Sequence, residues 1–263
     1  MFRIDTHAHV ISLDYPLNPD RRHTPHEATI DDYLRYHDEN NITHGVLVQP
    51  STHGFDNTFM CECIAKLKGR VHGIVMIDPS VDDAALDAFA ENNIVGVRFS
   101  LFDMSVDRLG EPEYQGLIKR LAKRDWIIEA LIQSPDVPAF FKHVAPSGAR
   151  MVINHFGMPD KSLGVNDPSF QAMLKEAESG NLWVKVSAPY RCGGVEAAKP
   201  LADALMNTLG AERLLWGSDW PWTQFQDAGF TYPMTLEWFE ALIEDENARA
   251  QILGDTAAEF YGF

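Results

Sequence analysis

The sequence predicts a (β/α)8 barrel of the α/β class, also called a TIM barrel. Its 263 residues alternate eight times between an apolar strand-like segment and a helix-like segment. Helical crossovers join parallel strands, and eight such units in about 250 residues are typical of this barrel. The alternative is a doubly wound open sheet, but no Gly-x-Gly-x-x-Gly motif follows the first strand. We therefore expect residues 1–263 to form one barrel domain.

The predicted elements follow one another without a linker or a low-complexity segment. Strands are expected where apolar residues run almost without interruption, as they do in strands buried on both faces: 2–10, 44–50, 71–78, 94–100, 126–132, 151–157, 182–187 and 214–219. Helices are expected at 30–40, 57–68, 81–92, 112–123, 137–144, 168–178, 195–209, 232–244 and 247–261. The Asp-rich start of the helix at 81–92 is typical of a helix N-terminus.

Residues 11–30 form a long polar connection between the first strand and the first helix. This segment contains prolines together with Arg21, Arg22 and His23. Connections of this length without secondary structure are uncommon in compact domains and are usually functional. We therefore expect the loop to contribute to ligand binding.

The charge balance excludes some classes of partner. The formal net charge is -16 and the isoelectric point is about 4.9, so nucleic acids and anionic membrane surfaces would be repelled. A small anionic substrate is still compatible, because a few arginines can reverse the field inside a pocket. With 45% hydrophobic and 23% charged residues, the composition is typical of a globular protein.

Cysteine usage and hydropathy predict a cytoplasmic protein. Cys61 and Cys63 lie two residues apart in a predicted helix and do not converge, which disfavours a disulfide or a metal pair. Together with Cys192 they are expected to be reduced thiols. No basic and apolar leader precedes the first strand, and no apolar run approaches the roughly 20 residues that a membrane span needs.

Polar residues at the predicted strand ends form the candidate site. His7 and His9 alternate along the first strand and therefore project from one face. In this type of barrel, the carboxyl ends of the strands carry the active site. The other polar residues at those ends are Arg98, Ser100, Glu129, Gln133, His155, Lys185, Ser187, Arg191 and Asp219. An internal salt bridge is the alternative interpretation for Glu129 and Lys185.

Several segments of the sequence resemble one enzyme family. They read THAHV at 6–10, GVRF at 96–99, INHFG at 153–157, VKVS at 184–187, WGSDWP at 216–221 and AAEFYGF at 257–263. These motifs are similar to the amidohydrolase 2 branch of the amidohydrolase superfamily. Within that branch they most resemble the sugar-lactonase and 2-pyrone-4,6-dicarboxylate lactonase group. The resemblance spans nearly the whole chain and is specific for the branch, though not for a substrate.

The resemblance implies hydrolysis of a small, carboxylated lactone. Asp219 would act as the general base on the attacking water. His7, His9 and His155 would surround the carbonyl, either through a bound metal or through direct hydrogen bonds. A decarboxylase or lactone isomerase that uses the same residues is the alternative enzyme. A barrel that binds a small acid without turnover is the third hypothesis.

Two arginines are the main predicted contacts with the substrate. Arg98 and Arg191 would bind a substrate carboxylate, a role that suits the planar guanidinium group. The alternative for both is a salt bridge to Glu129 or to a loop acid. Further substrate contacts are expected from Ser100, Arg21, His23 and Trp222.

The chain departs from the related lactonases in ways that bear on the substrate. Those proteins carry a further arginine shortly after the strand-four arginine, whereas this chain has none before Arg108. The difference argues against a dicarboxylate unless Arg108 or Arg21 takes that role. His23 stands where related loops tend to carry an aromatic residue.

The sequence leaves the metal content open. The site holds either no metal or one divalent ion, zinc or manganese. The expected ligands of an ion are His7, His9, Glu129 and Asp219. Without an ion, Glu129 is expected to pair with Arg98. The expected partner is a small anionic lactone, and homo-oligomerisation is left open.

Overall fold

The computed structural model describes residues 2–67 and 69–263, and it confirms the predicted (β/α)8 barrel. Eight parallel strands lie side by side in chain order. They are β1 (Ile4–Ala8), β2 (His44–Val48), β3 (Val71–Val75), β4 (Ile94–Ser100), β5 (Ile127–Leu131), β6 (Met151–Ile153), β7 (Leu182–Ser187) and β8 (Leu214–Gly217). The barrel closes where the His9 amide donates to the Trp220 carbonyl at 2.8 Å. The Asp219 amide donates to the His7 carbonyl at the same distance.

Helices follow the strands, as the alternation predicts. They are α1 (Ile30–Glu39), α2 (Thr58–Lys66), α3 (Asp83–Glu91), α4 (Pro112–Lys123), α5 (Val137–Val144), α6 (Pro168–Glu176), α7 (Val195–Leu209), α8 (Tyr232–Leu242), α9 (Glu246–Gln251) and, after a π-helical turn, α10 (Ala257–Tyr261). Side chains of Thr29, Asp82 and Asp245 cap α1, α3 and α9. The predicted end of the second helix, Lys68, lies outside the described residues. In the described part of the chain, no helix has the length and apolarity to cross a membrane.

Several predicted strands extend past the observed carboxyl ends, and at β6 and β8 the difference affects the candidate site. The structure ends β6 at Ile153 and β8 at Gly217, before His155 and Asp219 are reached. These two residues have φ angles of 52° and 57°, in the left-handed region that strands do not use. The apolar pattern continues past the bend, so the sequence pattern could not locate it.

The barrel interior has an apolar floor and a polar upper layer. Ile4, Ile74, Ile127 and Leu215, from the starts or middles of their strands, form one buried cluster with Phe260 of α10 and its neighbours. Further along the strands, the buried residues include Arg98, Glu129 and Lys185. The C-terminal helix therefore covers the amino-terminal end of the barrel, and the polar chemistry collects at the carboxyl ends.

Candidate active site

Asp219 is the centre of the polar cluster at the carboxyl ends of the strands. Its carboxylate is buried, and two neighbours hold one of its oxygens. Tyr190 donates its hydroxyl to Oδ2 at 2.5 Å, and Arg191 donates Nε–H to the same oxygen at 3.0 Å. The other oxygen, Oδ1, has no hydrogen-bond partner within the described residues. A buried carboxylate oxygen without a hydrogen bond is energetically unfavourable, so we expect Oδ1 to accept a hydrogen bond from a water or a ligand.

The three predicted histidines surround that unpaired oxygen. Nε2 of His7 lies 3.5 Å from Asp219 Oδ1, and Nε2 of His9 lies 3.7 Å from it. Nε2 of His155 also lies at 3.7 Å. The His7 ring packs edge to face against the other two rings, with centroid distances of 4.9 Å. The structure therefore brings together the four residues for which the sequence predicts catalytic roles.

Hydrogen bonds on the far side of the rings orient two of the imidazoles. His9 Nδ1 lies 2.7 Å from the Val48 carbonyl oxygen. A carbonyl only accepts, so His9 Nδ1 carries a proton, and in that tautomer Nε2 presents a lone pair. His155 Nδ1 lies 2.8 Å from the Ser187 hydroxyl. Burial lowers the pKa of His155 to about 3, so this ring is neutral at pH 7.

Lys185 fixes the tautomer of His7. Its Nζ lies 2.6 Å from Glu129 Oε2 and 2.9 Å from His7 Nδ1, and its third contact is the Thr6 carbonyl at 2.8 Å. An ammonium group has three protons to donate and no lone pair, so each contact receives one proton. The proton of neutral His7 is then on Nε2. Glu129 Oε1 lies farther from His7 Nδ1, at 3.3 Å, and also accepts from Asn154 at 2.9 Å, so the shorter contact with Lys185 favours a lone pair on Nδ1.

The Glu129–Lys185 ion pair is the internal salt bridge considered as the alternative for these residues. Both side chains are completely buried. Burial alone would raise the pKa of Glu129, but the Lys185 charge outweighs it and the pKa is lowered. Glu129 therefore pairs with Lys185 and not, as expected for a metal-free site, with Arg98.

Local charges keep Asp219 ionised, and burial keeps two of the histidines neutral. Burial would raise the pKa of Asp219, but Arg191 and His155 outweigh it, and the pKa lies well below its ordinary value. Burial, followed by the Lys185 charge, lowers the pKa of His7. At neutral pH the centre is therefore a carboxylate next to neutral rings of His7 and His155, an arrangement that can accept a proton.

The two arginines predicted to bind a carboxylate have different surroundings. Arg191 is held by Asp219 and by the Thr223 carbonyl, which lies 3.1 Å from its Nη2. Arg98 is 3% exposed, its Nε has no partner, and it forms no ion pair within the described residues. Burial lowers the pKa of Arg98 to about 10, so it is still a cation at neutral pH. A buried cation without a nearby anion is energetically unfavourable, so we expect Arg98 to bind an anionic group of a ligand.

The loop residues predicted to contact substrate do not all reach the site. Ser100 and His23 line the cavity that contains Asp219. Arg21 instead donates to the Asn18 carbonyl at 3.2 Å. Its neighbour Arg22 lines the cavity. The long loop therefore approaches the site through Arg22 and His23.

Trp222 lies beside the site and packs into the protein. Its ring contacts Phe230, and its Nε1–H donates to the Ser218 carbonyl at 3.2 Å. The cavity wall in this region is formed by Thr223 and Gln224. The role of Trp222 as a substrate contact is still only a prediction.

Two adjoining cavities open at this end of the barrel. The inner cavity contains Asp219 and has a volume of about 60 Å³. The outer cavity has a volume of about 760 Å³ and lies between segments 16–22, 53–55 and 98–108. The two cavities share the wall residues Arg22, Arg98, Ser100, Phe102 and Asp103. A ligand larger than a few water molecules must therefore extend from the inner cavity into the outer one.

The polar centre resembles a metal site in its residue types. Ligand atoms of His7, His155 and Asp219 lie within 4.8 Å of one another, and imidazole with carboxylate suits zinc or manganese. A metal-binding nitrogen needs a free lone pair. With Lys185 at Nδ1, Nε2 of His7 carries the proton, so this nitrogen cannot bind a metal in the observed arrangement. Glu129, a predicted ligand, has its oxygens engaged by neighbouring side chains. In the observed hydrogen-bonding pattern, the residues present do not fit a metal bound through His7.

Asp5 supports the site and was not predicted from the sequence. Its buried Oδ1 accepts from the His7 amide at 3.1 Å and from the Ser218 amide at 2.9 Å. Oδ2 accepts from the Ser218 and Tyr232 hydroxyls. One carboxylate therefore joins the strand that carries His7 to the turn that carries Asp219. The available signal was a charged residue inside the first apolar strand.

Tyr190 and Arg22 were also missed. Each stands next to a residue that was predicted, since Tyr190 precedes Arg191 and Arg22 follows Arg21. A tyrosine at a strand end beside an arginine was a usable signal. The choice between Arg21 and Arg22 depends on the loop conformation, which the sequence pattern does not determine.

The chain belongs to the amidohydrolase family. The model of that family matches residues 4–263, which include every strand of the barrel and all four residues of the polar centre. The resemblance inferred from the motifs is therefore confirmed.

Individual relatives carry the names of lactone enzymes. The 2-pyrone-4,6-dicarboxylate hydrolase of Comamonas testosteroni is 28% identical over 85% of this chain and 78% of its own length. The D-galactarolactone isomerase of Agrobacterium fabrum is 25% identical over 95% of this chain and 87% of its own. A crystal structure from Acinetobacter baumannii, described as a probable 2-pyrone-4,6-dicarboxylic acid hydrolase with citric acid bound, has a TM-score of 0.96. It is 30% identical, and the match covers 100% of both chains.

Proposed function

We propose that this protein hydrolyses a small, carboxylated lactone with a water activated by Asp219. The observation that carries the proposal is Oδ1 of Asp219, which lies among three imidazoles and has no hydrogen-bond partner in the described part of the chain. The same cavity is lined by the buried Arg98, which forms no ion pair with the described residues. The names of the relatives support a lactone as the substrate class.

The attacking water binds between Asp219 and His9. Oδ1 of Asp219 and Nε2 of His9 both accept hydrogen bonds and lie 3.7 Å apart. A water that donates to both directs an oxygen lone pair toward a bound carbonyl carbon. Asp219 takes the proton as the new C–O bond forms.

His7 stabilises the negative charge that develops on the carbonyl oxygen. Its Nε2–H is a donor held in place by the contact of Nδ1 with Lys185. A fixed donor at a developing oxyanion lowers the barrier without reorganisation of solvent. When the ring C–O bond breaks, the proton on Asp219 passes to the leaving oxygen. Lactone and water thus give one hydroxy acid.

Arg98 binds the carboxylate of the substrate. It is buried on the wall shared by the two cavities, so a carboxylate there would neutralise a desolvated cation. The citric acid in the related crystal structure supports an acid as the ligand.

The experiment that tests the function is a pH-indicator assay with a panel of carboxylated lactones. Ring opening of a lactone releases one acid equivalent per turnover. We expect turnover by the wild-type protein and a decrease in kcat of roughly 10²- to 10⁴-fold in Asp219→Asn, with the fold retained. Near-normal hydrolysis by Asp219→Asn would contradict the role of this residue.

Lactone isomerisation is the second candidate function. The D-galactarolactone isomerase among the relatives favours it, since it shares most of its length with this chain. Isomerisation releases no acid and leaves a ring in the product. Product analysis by NMR of the same reactions therefore separates the two functions.

Three further predictions from the sequence belong with this proposal. Residues 1–263 are proposed to fold as one domain, and the protein is proposed to act in the cytoplasm on an anionic small molecule. Limited proteolysis and cell fractionation test the first two. Size-exclusion chromatography with light scattering determines whether the barrels form oligomers.

A further inference from the structure

The outer cavity is larger than the proposed reaction requires. The inner cavity of about 60 Å³ has room for only a few waters. The outer cavity of about 760 Å³ is within the range of about 300–1,000 Å³ that is typical of small-molecule sites. Arg98 lies on the wall that the outer cavity shares with the inner one, where Asp219 lies. Most of the outer cavity is therefore available to a further group of the ligand.

The wall of the outer cavity has an apolar part beside its polar residues. It includes Leu17, Phe55, Phe102, Met104 and Tyr114. Phe55 is 53% exposed and lies in the wall of this cavity. Exposed apolar groups around a concave site often mark the binding position of an apolar ligand group.

The other arginines of the outer cavity already have carboxylate partners. Arg22 Nε lies 3.0 Å from Asp103, and Arg108 Nε lies 3.5 Å from Glu111. Among the described arginines of this wall, Arg98 alone forms no ion pair. The cavity therefore offers one unpaired cation. A second carboxylate on the ligand would find no unpaired cation among the described arginines of this wall.

We propose that the substrate is a lactone with a single carboxylate and a neutral, mainly apolar group of about the size of an aromatic ring. The carboxylate pairs with Arg98, and the apolar group binds in the outer cavity against Phe55, Phe102 and Met104. This inference rests on the proposed lactonase function and specifies its substrate class. It differs from the dicarboxylate in the name of the Comamonas relative.

The test measures binding of reaction products, so it does not depend on turnover. Calorimetry compares two hydroxy acids, the ring-opened forms of a carboxylated five-membered lactone without and with a phenyl substituent. We expect the phenyl-substituted acid to bind at least about tenfold more tightly. Phe55→Ala should remove most of that advantage and leave the affinity for the unsubstituted acid unchanged. Met104→Ala provides a second variant in the same wall.

Leu163→Ala is the matched control. Leu163 is 48% exposed and lies outside the residues that line the outer cavity, so the preference should persist. Equal affinity for the two acids, or a preference that both cavity variants leave intact, would overturn the inference. A preference in binding without hydrolysis of either lactone would instead contradict the lactonase function and support the assignment of the outer cavity.

Discussion

The two oxygens of Asp219 have different tasks. Tyr190 and Arg191 hold Oδ2, so Oδ1 is left for the water and the histidines. The low pKa of Asp219 keeps it ionised, although a low pKa also limits its strength as a base. We therefore expect most of the rate enhancement to come from the position of the water and from stabilisation of the oxyanion.

Tyr190→Phe tests the orientation of the base. The variant loses the hydroxyl that donates to Asp219 Oδ2, and we expect kcat to fall roughly tenfold with little change in KM, since a hydrogen bond to a charged group contributes about 1.5–3 kcal/mol. Steady-state kinetics measure the effect. Tyr15→Phe removes a similar bond, to Glu62, and should leave kcat unchanged. Equal effects of the two variants would contradict the orienting role of Tyr190.

The tautomer of His7 predicts how activity responds to chelation. Because Lys185 places the proton on His7 Nε2, we expect the protein to keep full lactonase activity after prolonged treatment with a chelator. Elemental analysis of the same samples measures zinc and manganese. Stoichiometric metal together with loss of activity on its removal would show that His7 adopts the other tautomer.

The sequence was enough to predict which residues meet in the polar centre, but not which of their side chains form hydrogen bonds and ion pairs with one another. His7, His155 and Asp219 interrupt apolar runs at strand ends, and barrel geometry brings such positions together. The pairing of Lys185 with Glu129, by contrast, depends on which of several buried charges approach most closely. That choice depends on how the side chains pack in the folded barrel, which a sequence pattern does not contain.

The contact between β1 and β8 sets the position of His7. A Cβ on Gly217 would lie 2.5 Å from the His7 Cβ, closer than real contacts allow. A glycine at the end of β8 therefore makes room for a histidine on β1. Asp5 strengthens the same junction through hydrogen bonds to both elements.

Gly217→Ala should displace His7. We expect a decrease in kcat of at least about tenfold and a loss of stability of about 1–3 kcal/mol from overpacking. Activity assays and urea unfolding measure both effects. Gly116→Ala in α4 is the control, because its Cβ would meet nothing within 4 Å. Alanine is favoured over glycine inside a helix, so this control should be slightly stabilised and fully active.

The elements themselves were largely predictable. The bounds of α4, α5, α7, β4 and β7 agree with the sequence prediction. Several strands were predicted too long, including β2 and β3, and two of these errors coincide with a turn of the backbone into the left-handed region, at His155 and Asp219. Neither residue type requires that conformation, so only the surrounding tertiary structure determines it.

The buried histidines make the stability of the whole molecule depend on pH. Burial lowers the pKa of His155 and His37 to about 3 and lowers that of His7 well below its ordinary value. The unfolded chain takes up protons on these residues near pH 6.5. The free energy of unfolding therefore falls as the pH drops below about 6.5, by up to roughly 1.4 kcal/mol per pH unit for each histidine.

The carboxylates act in a lower pH range. Asp219 and Glu129 have lowered pKa values in the folded protein, so their contribution to stability is complete above about pH 4 and is lost below it.

Urea unfolding at pH 7.0 and 5.5 should show a clear decrease in stability from the histidines alone. His26→Gln, at an exposed site, should leave this decrease unchanged. Equal stability at the two pH values would contradict neutral buried histidines.

The most direct test of water activation by Asp219 is hydrolysis of a carboxylated lactone in H₂¹⁸O. We expect one ¹⁸O atom in the new carboxylate of the hydroxy acid, detected by mass spectrometry, and loss of the labelled product in Asp219→Asn. A product without solvent oxygen would contradict hydrolysis. Labelled product formed at the normal rate by Asp219→Asn would show that another group activates the water.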